Sequence, residues 1–248
     1  MWRRSWAKYG ISAPRRPQGR LALTRRRSFS ASRISYISGF SGRGKEVIIL
    51  DNYIYTLGNS LYINLTNRCT NSCVFCVRSQ TDGMGGQRLW LEKEPDAEQV
   101  IQLIPNPEKY DEIVFCGFGE PTERLDVLLQ ICRYLKKFSV PIRINTNGHA
   151  SMIAKRDVAP LFRGLVDTIS ISLNASSARH YQELCQCCEG ERGFEEMLDF
   201  ARRVKEYVPN VILSVVDVMP QKEIEECREI AQRLGVKFRV RTLITKED

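Results

Sequence analysis

The sequence lacks any apolar run approaching the ~18 residues that a membrane-spanning helix requires. We therefore expect that the chain is not an integral membrane protein. Histidine is scarce: His149 and His180 are the only two, and neither falls in a recognisable pattern with an acid or a nucleophile. The first 45 residues contain no Asp or Glu but twelve Lys or Arg. This last absence sets the N-terminal segment apart from the rest of the chain.

The net charge of +8 is therefore unevenly distributed. The other 203 residues hold 25 of the 37 basic side chains and all 29 acidic ones, a net charge of −4. This part of the chain gives no overall electrostatic case for binding DNA or RNA. Its composition is not that of a disordered chain either, because the apolar content of 43% is close to a globular average.

The segment 1–40 is typical of a mitochondrial transit peptide, being rich in Arg and Ser and free of acidic residues. It has no apolar core of the about 7–15 residues that a secretory signal needs. The stretch RSFS (27–30) is similar to the cleavage pattern of matrix presequences. We expect a mitochondrial matrix location, with residues 46–248 forming one domain. A disordered basic extension on a cytoplasmic protein is the alternative.

Nine cysteines, an odd number, occur in a chain without a secretory signal, which favours metal binding over disulfides. Cys69, Cys73 and Cys76 form a C-x3-C-x2-C pattern. Four-iron iron–sulfur clusters are normally held by four thiolates, so three thiolates can hold three irons and leave the fourth open to a ligand. The pattern favours such a cluster.

Structural zinc and inert thiols are the alternatives for this loop. Zinc usually takes four ligands, and no fourth Cys or His lies nearby in sequence. A second group, Cys185, Cys187 and Cys188, matches no recognised spacing. We interpret it as a solvent-facing loop between helices, with a second cluster, a redox pair or zinc as alternatives.

Strand patterns alternate with helix patterns along residues 61–243, which predicts a parallel sheet. Six strands are expected, at 61–66, 111–116, 141–146, 166–173, 211–218 and 236–243. Helices are expected at 97–104, 125–138, 194–208 and 221–234. An eight-unit barrel needs about 250 residues, so the chain is too short for one. We predict an α/β fold of the open (β/α)6 type, a partial TIM barrel.

The suggestive motifs fall where predicted strands end. The cysteine loop follows the first strand, GFGEP (117–121) the second and NTNG (145–148) the third, while Ser172 and Asn174 end the fourth. Ligands of parallel α/β folds bind at this edge of the sheet. The positions therefore predict a single ligand site.

With these motifs, the chain resembles the radical S-adenosylmethionine (SAM) superfamily. The resemblance rests on CTNSCVFC (69–76) after the first strand and GFGEP after the second. More narrowly, NSLYINLTNRCTNSCVFCVR (59–78), VFCGFGEPTERLDVLL (114–129) and LVDTISISLNA (165–175) are similar to the small TatD-associated radical SAM proteins. The resemblance covers about residues 53–243.

The resemblance implies the catalytic centre. Cys69, Cys73 and Cys76 would ligate a [4Fe–4S] cluster, and SAM would bind the open iron through its amino and carboxylate groups. Reductive cleavage of SAM would give a 5′-deoxyadenosyl radical that abstracts hydrogen from an unknown substrate. The implied partner is a one-electron reductant of the ferredoxin or flavodoxin type.

The resemblance also implies the contacts to SAM. Phe75, just before the third cysteine, would pack near the adenine. Glu120, in a GFGEP variant of the family's GGEP motif, would accept a hydrogen bond from the SAM ammonium. The other expected contacts are Gly117, Gly119, Pro121, Asn145, Asn147, Ser172 and Asn174. Turn and cap roles are the alternative for the asparagines, and Arg143 is expected to meet a carboxylate or to form a peripheral ion pair.

Three other activities compete with this interpretation. A glycyl-radical-activase-like or a deazaguanine-synthase-like enzyme would share the cofactors. A non-catalytic iron–sulfur or zinc protein would not act on SAM. GFGEP argues against the last alternative, because a sensor has no need of an acceptor for the SAM ammonium.

Overall fold

The computed structural model describes residues 51–84 and 86–243. The expected transit peptide, residues 1–40, and the first residues of the expected domain lie outside the described residues. In the described part of the chain, no helix combines the length and the apolar character needed to cross a membrane.

The main sheet has seven strands. In spatial order they are β1 (Ile54–Leu57), β2 (Ser60–Ile63), β5 (Ile113–Phe115), β6 (Ile142–Thr146), β7 (Thr168–Ser172), β8 (Asn210–Val216) and β9 (Lys237–Arg241). A separate hairpin joins β3 (Gly83–Met84) to β4 (Gln87–Arg88). β1 pairs antiparallel with β2, and all later neighbours in the main sheet pair in parallel. Six parallel strands in chain order, not closed on themselves, confirm the predicted partial barrel.

Helices join these strands. Those of the described residues are α1 (Ala97–Gln102), α2 (Leu125–Leu135), α3 (Ala150–Ala154), α4 (Ala178–Cys185), α5 (Arg192–Val204) and α6 (Gln221–Leu234). A capping box begins α1: Asp96 accepts a hydrogen bond from the Gln99 backbone at 2.8 Å, and the Gln99 side chain accepts one from the Asp96 backbone at 3.0 Å. α6 has the predicted bounds, and it ends at Gly235 in the left-handed conformation (φ 68°).

One face of the sheet is apolar and carries the core. Ile63, Phe115, Ile144, Ile169 and Val211 are register neighbours on five adjacent strands, so their side chains share this face. All five are buried, and buried side chains of the helices pack on them. Burial of this surface is the main driving force for the fold.

The opposite face is polar. Asn145, Ser170, Ile212 and Lys237 are register neighbours on β6 to β9, and they alternate with the core residues. This face is the inside of the open barrel. The polar residues of this face continue along the strands to their carboxyl ends, where the candidate site lies.

Several elements were not predicted, the short helix α3 among them. β1 precedes the expected first strand, the β3–β4 hairpin lies in a segment expected to be a loop, and α4 begins at the Ser177 cap, whose hydroxyl accepts a hydrogen bond from the His180 backbone at 3.4 Å. α4 buries only Tyr181, Leu184 and Cys185, a narrow apolar stripe among polar residues. Such short elements depend on tertiary contacts more than on local pattern.

Candidate active site

The cysteine loop leaves the carboxyl end of β2. Cys69, Cys73 and Cys76 are free thiols of intermediate exposure. Burial raises the pKa of Cys69 to about 12 and also raises that of Cys76. For Cys73, a hydrogen bond with Cys185 raises the pKa most, and burial adds to it. The raised pKa values favour the protonated form of all three thiols.

Arg78 stabilises the cysteine loop through hydrogen bonds. Its guanidinium donates to the carbonyl oxygens of Asn67 (3.1 Å), Asn71 (3.1 Å) and Phe118 (3.4 Å). These bonds tie both ends of the cysteine loop to the GFGEP loop. The Arg78 charge also lowers the pKa of Cys76, against the larger effect of burial. The sequence analysis assigned Arg78 no role, although a basic residue two positions after a metal ligand is a usable signal.

The second cysteine group packs against the first. The backbone of Ser72 donates to the Cys185 carbonyl (3.0 Å), that of Val74 to the Leu184 carbonyl (2.9 Å) and that of Cys188 to the Thr70 carbonyl (2.9 Å). These backbone bonds hold the residues that follow α4 alongside the cysteine loop.

The prediction of a solvent-facing loop is wrong for Cys185 and Cys187, which are buried, and only Cys188 is exposed. The cause lies at the end of α4. There Gln186 adopts a left-handed conformation (φ 48°) that turns the chain back along the cysteine loop.

A buried histidine supports the same loop. His149 Nε2 lies 2.9 Å from the Gly193 carbonyl and therefore carries the proton, which leaves Nδ1 to accept from the Thr70 hydroxyl at 2.8 Å. Thr70 in turn accepts from the Asn147 side chain (2.7 Å), whose Nδ2 lies 3.8 Å from Cys69 Sγ. Burial lowers the pKa of His149 to about 4, so the ring is neutral at neutral pH. The sequence analysis found no partner for His149, because these contacts come from other loops.

Glu120 lies at the centre of the GFGEP loop and is 3% exposed. One carboxylate oxygen accepts from the Thr122 backbone (3.1 Å) and from the hydroxyls of Thr122 and Thr146 (2.7 Å each). The other accepts from the Asn147 backbone at 2.7 Å. Burial raises the pKa of the Glu120 carboxyl, although these bonds oppose the shift. Glu120 thus ties two strand-end loops together, and its second oxygen keeps capacity for one more donor.

The glycines of this loop allow close packing of the protein on itself. A Cβ at Gly119 would lie 2.3 Å from the Thr66 carbonyl oxygen and 2.6 Å from that of Arg68. A Cβ at Gly117 would lie 2.0 Å from Asn64 Oδ1. The space beside each glycine is thus filled by the chain leading into the cysteine loop. Pro121 follows as the first residue of a 3-10 turn, Pro121–Arg124.

The remaining predicted contacts lie along β6 and β7. Asn145 Oδ1 accepts from Arg143 (3.3 Å), and Arg143 forms an ion pair with Glu112 through bonds of 2.6 and 3.0 Å. Ser172 Oγ accepts from Arg241 at 3.4 Å. Phe75 is buried in the main core.

Asn174 has the feature most suggestive of a missing ligand. It adopts a left-handed conformation (φ 55°), and its buried Oδ1 has no hydrogen-bond partner among the described residues, while Nδ2 lies 3.9 Å from Cys185 Sγ. The buried Asn71 Oδ1 in the cysteine loop lacks a partner as well. Buried acceptors without donors are costly in a folded protein, and a polar ligand would satisfy them.

The donor set suits an iron–sulfur cluster. Three thiols on one loop supply soft ligands, and polar groups without partners lie at neighbouring strand ends. Within residues 51–84 and 86–243, no three Cys, His, Asp or Glu side chains are grouped as they would be around a single metal ion.

Space for a second molecule exists at the same edge of the sheet. A cavity of about 790 Å³ lies among the residues that follow β7, β8 and β9, including Ser177, Asp217 and Leu243. Its size is that of an ordinary small-molecule site.

Comparison with known families identifies the family to which the chain belongs. The sequence profile described as the radical SAM superfamily matches residues 63–234. The chain belongs to the radical SAM superfamily. Enzymes of this superfamily use a [4Fe–4S] cluster and SAM. In this radical SAM chain, Cys69, Cys73 and Cys76 lie within the matched residues. The narrower TatD-associated resemblance stays a prediction.

Two curated relatives match part of this radical SAM chain. A protein of Methanocaldococcus jannaschii whose assigned name is glycyl-radical enzyme activating enzyme is 28% identical over 121 residues, 47% of this chain and 48% of its own length. A protein of Methanocella arvoryzae whose assigned name is GTP 3′,8-cyclase is 31% identical over 143 residues, 57% of this chain and 41% of its own. The chain thus spans about half the length of the curated relatives it matches.

Solved structures of radical SAM enzymes share the fold. A radical SAM methyltransferase from Sphaerobacter thermophilus aligns with a TM-score of 0.54 at 19% identity, over 76% of this chain and 57% of that one. Streptococcus suis SuiB bound to the precursor peptide SuiA aligns with a TM-score of 0.52 at 15% identity, over 77% and 40%. At these identities the likeness concerns the fold alone.

Proposed function

We propose that this chain is an enzyme that binds a [4Fe–4S] cluster through Cys69, Cys73 and Cys76 and uses SAM to abstract a hydrogen atom from its substrate. One observation carries the proposal: the three free thiols lie on a single loop at the carboxyl end of β2, and two neighbouring strand-end loops are bonded to it. When bound, the cluster and SAM supply a 5′-deoxyadenosyl radical.

The residues around the thiols hold the loop in place. Arg78 donates to three carbonyls and brings a positive charge beside the sulfurs. Thr70 receives one hydrogen bond from Asn147 and gives one to neutral His149, which fixes the backbone next to Cys69. These groups fix the backbone of the loop that carries the three thiols.

Other residues at the strand ends would bind SAM. Asn174 offers a buried acceptor without a donor, and Ser172 and Asn145 line the polar face below it. Glu120 has one oxygen with spare capacity, suited to the SAM ammonium, while its other bonds position Asn147. Phe75, which is packed in the core, would lie near the adenine and bound that part of the SAM site.

The test is anaerobic reconstitution with iron and sulfide, followed by dithionite and SAM. We expect a four-iron EPR signal and 5′-deoxyadenosine by chromatography. Cys73→Ala should lose both, whereas Cys188→Ala, an exposed thiol of the adjoining segment, should keep both. A reconstituted chain that yields no 5′-deoxyadenosine would overturn the proposal.

Reductant and location belong to the same proposal. We propose a ferredoxin- or flavodoxin-like donor, because the cluster must receive single electrons, and a mitochondrial matrix location, because residues 1–40 have the composition of a transit peptide. Import of residues 1–40 fused to a reporter would test the location. Retention of the reporter in the cytosol would contradict it.

A further inference from the structure

Strand β9 presents a row of cations to the inside of the barrel. Lys237 is the register neighbour of Ile212, Arg239 that of Ser214, and Arg241 that of Val216. Ser214 is in turn the neighbour of Ser172, so this row shares the polar face with the proposed SAM contacts. The two residues between the cations, Phe238 and Val240, point the other way.

Arg241 is the most buried of these cations. Among the described residues its buried Nε finds no hydrogen-bond partner, and the only side-chain bond of Arg241 is the 3.4 Å contact to Ser172. Burial lowers the pKa of its guanidinium, since little around it favours the charge. By contrast, Arg143, on β6 of the same face, is neutralised by two bonds to Glu112.

The groups that face Arg241 are thiols and another cation. Cys116, Cys73 and Cys185 lie near enough to influence its charge, as does Arg239. No carboxylate of a described residue forms an ion pair with any of the three cations, and Lys237 bonds to the neutral Asn210 side chain at 2.6 Å. Asp217, whose backbone bonds to that of Arg241, accepts from the Leu243 backbone with its carboxylate (2.8 Å).

Arg241 also adjoins the cavity at the strand ends. Its carbonyl oxygen accepts from the backbone of Asp217 (3.0 Å), and Asp217 and Leu243 both line that cavity. The backbone of Arg241 is thus joined to residues that line the cavity.

We propose that Arg241, extended by Arg239 and Lys237, binds the anionic group of the substrate, a carboxylate or a phosphate. The proposal rests on the proposed function, because it places this anion beside the SAM site. Arg suits the task since its planar fork binds carboxylate and phosphate through two parallel bonds. An anion there also compensates a buried cation that the described protein leaves unpaired. The substrate class is thus acidic.

The test measures binding of inorganic phosphate and, separately, of succinate to the reconstituted full chain. Melting temperature is followed against ligand concentration at constant ionic strength, and the dissociation constant is taken from the shift. We expect Arg241→Gln to weaken binding at least about tenfold and Arg241→Lys to weaken it less. Arg233→Gln, an exposed arginine on α6, is the matched control and should bind as the parent does.

A second arm separates the substrate anion from the carboxylate of SAM. The titration is repeated with saturating SAM, and binding of at least one probe should persist. Loss of all probe binding with SAM, or equal binding by the parent and the Arg241 and Arg239 variants, would overturn the proposal. Formation of 5′-deoxyadenosine in the same samples reports on the proposed function separately, so the two failures are distinguishable. If Arg241→Gln does not fold, Arg241→Lys and Arg239→Gln carry the comparison.

Discussion

The Asn147 backbone N–H donates a 2.7 Å hydrogen bond to the carboxylate of Glu120, joining the loop after β5 to the loop after β6. The Asn147 side chain continues the connection to Thr70, the neighbour of Cys69. A buried acid that sequence alone assigned to a ligand is therefore also the organiser of the loops around the thiols. Its consequences can be measured.

Glu120→Gln should destabilise the protein. The amide replaces one acceptor oxygen with an N–H group, so a donor of Asn147 or Thr122 loses its partner in a buried site. The expected loss is about 1–3 kcal/mol in the free energy of unfolding, measured with urea. Glu229→Gln, on an exposed face of α6, is the control and should change stability little. Equal stability of Glu120→Gln and the parent would contradict the assigned role.

Gly119→Ala should reduce iron incorporation. The added methyl would lie 2.3 Å from the Thr66 carbonyl oxygen, so the GFGEP loop or the chain entering the cysteine loop must move. The iron and sulfide content after reconstitution measures the effect.

Gly58→Ala is the matched control for Gly119→Ala. Gly58 adopts a left-handed conformation with open space beside it (φ 57°), so alanine there should cost about 1–2 kcal/mol of strain and leave the iron content unchanged. Equal iron content in Gly119→Ala and the parent would show that the loops tolerate the shift.

Arg78→Gln should lower both the iron content and the reduction potential of the cluster. The change removes hydrogen bonds to three carbonyls and a positive charge that favours the more negative, reduced state. Arg78→Lys keeps the positive charge but loses the planar guanidinium that donates several hydrogen bonds. Compared with Arg78→Gln, it should therefore recover more of the reduction potential than of the iron content. The measurements are iron analysis and a redox titration followed by EPR.

Arg88→Gln, on the β3–β4 hairpin, is the control for Arg78. Arg88 is exposed and pairs with Glu92, away from the cysteine loop. An unchanged potential in Arg78→Gln would show that its charge does not reach the cluster.

His149 should make stability depend on pH below about 6.5. The folded ring has a pKa of about 4, so between these values the unfolded chain binds the proton more readily, and stability falls as pH falls. From pH 7 to pH 5 we expect a loss of about 2 kcal/mol in the free energy of unfolding from this group.

His149→Gln should flatten that dependence. Both proteins are unfolded in urea at pH 8, 7 and 5, and the interval from pH 8 to 7 serves as the internal control, because neutral imidazole does not titrate there. The same slope in parent and variant between pH 7 and 5 would refute the neutral, buried histidine.

Local patterns were enough to predict the architecture. Alternation of strand and helix periods along residues 61–243 predicted six parallel strands, and α6 was placed at its observed bounds. The spacing of Cys69, Cys73 and Cys76 and their position after β2 predicted the superfamily. These signals lie within short windows of sequence, where backbone geometry links spacing directly to side-chain direction.

Such local patterns could not predict contacts between residues distant in the chain. The side chain of Cys185 forms a hydrogen bond with that of Cys73, and His149 forms one with Thr70. Each pair is more than 75 residues apart in the chain. Nothing in the windows around Cys185 or His149 indicates what they will meet.

The sequence by itself determined an open parallel barrel with three thiols at the end of its first parallel strand, since strand period and motif spacing are local properties. Only the tertiary structure decided that Glu120 binds its own neighbours, that Cys185 is buried beside the thiols, and that Arg241 has no counterion among the described residues. Each of these depends on which distant side chains the packed sheet and helices bring together, and therefore on the sum of many weak contacts.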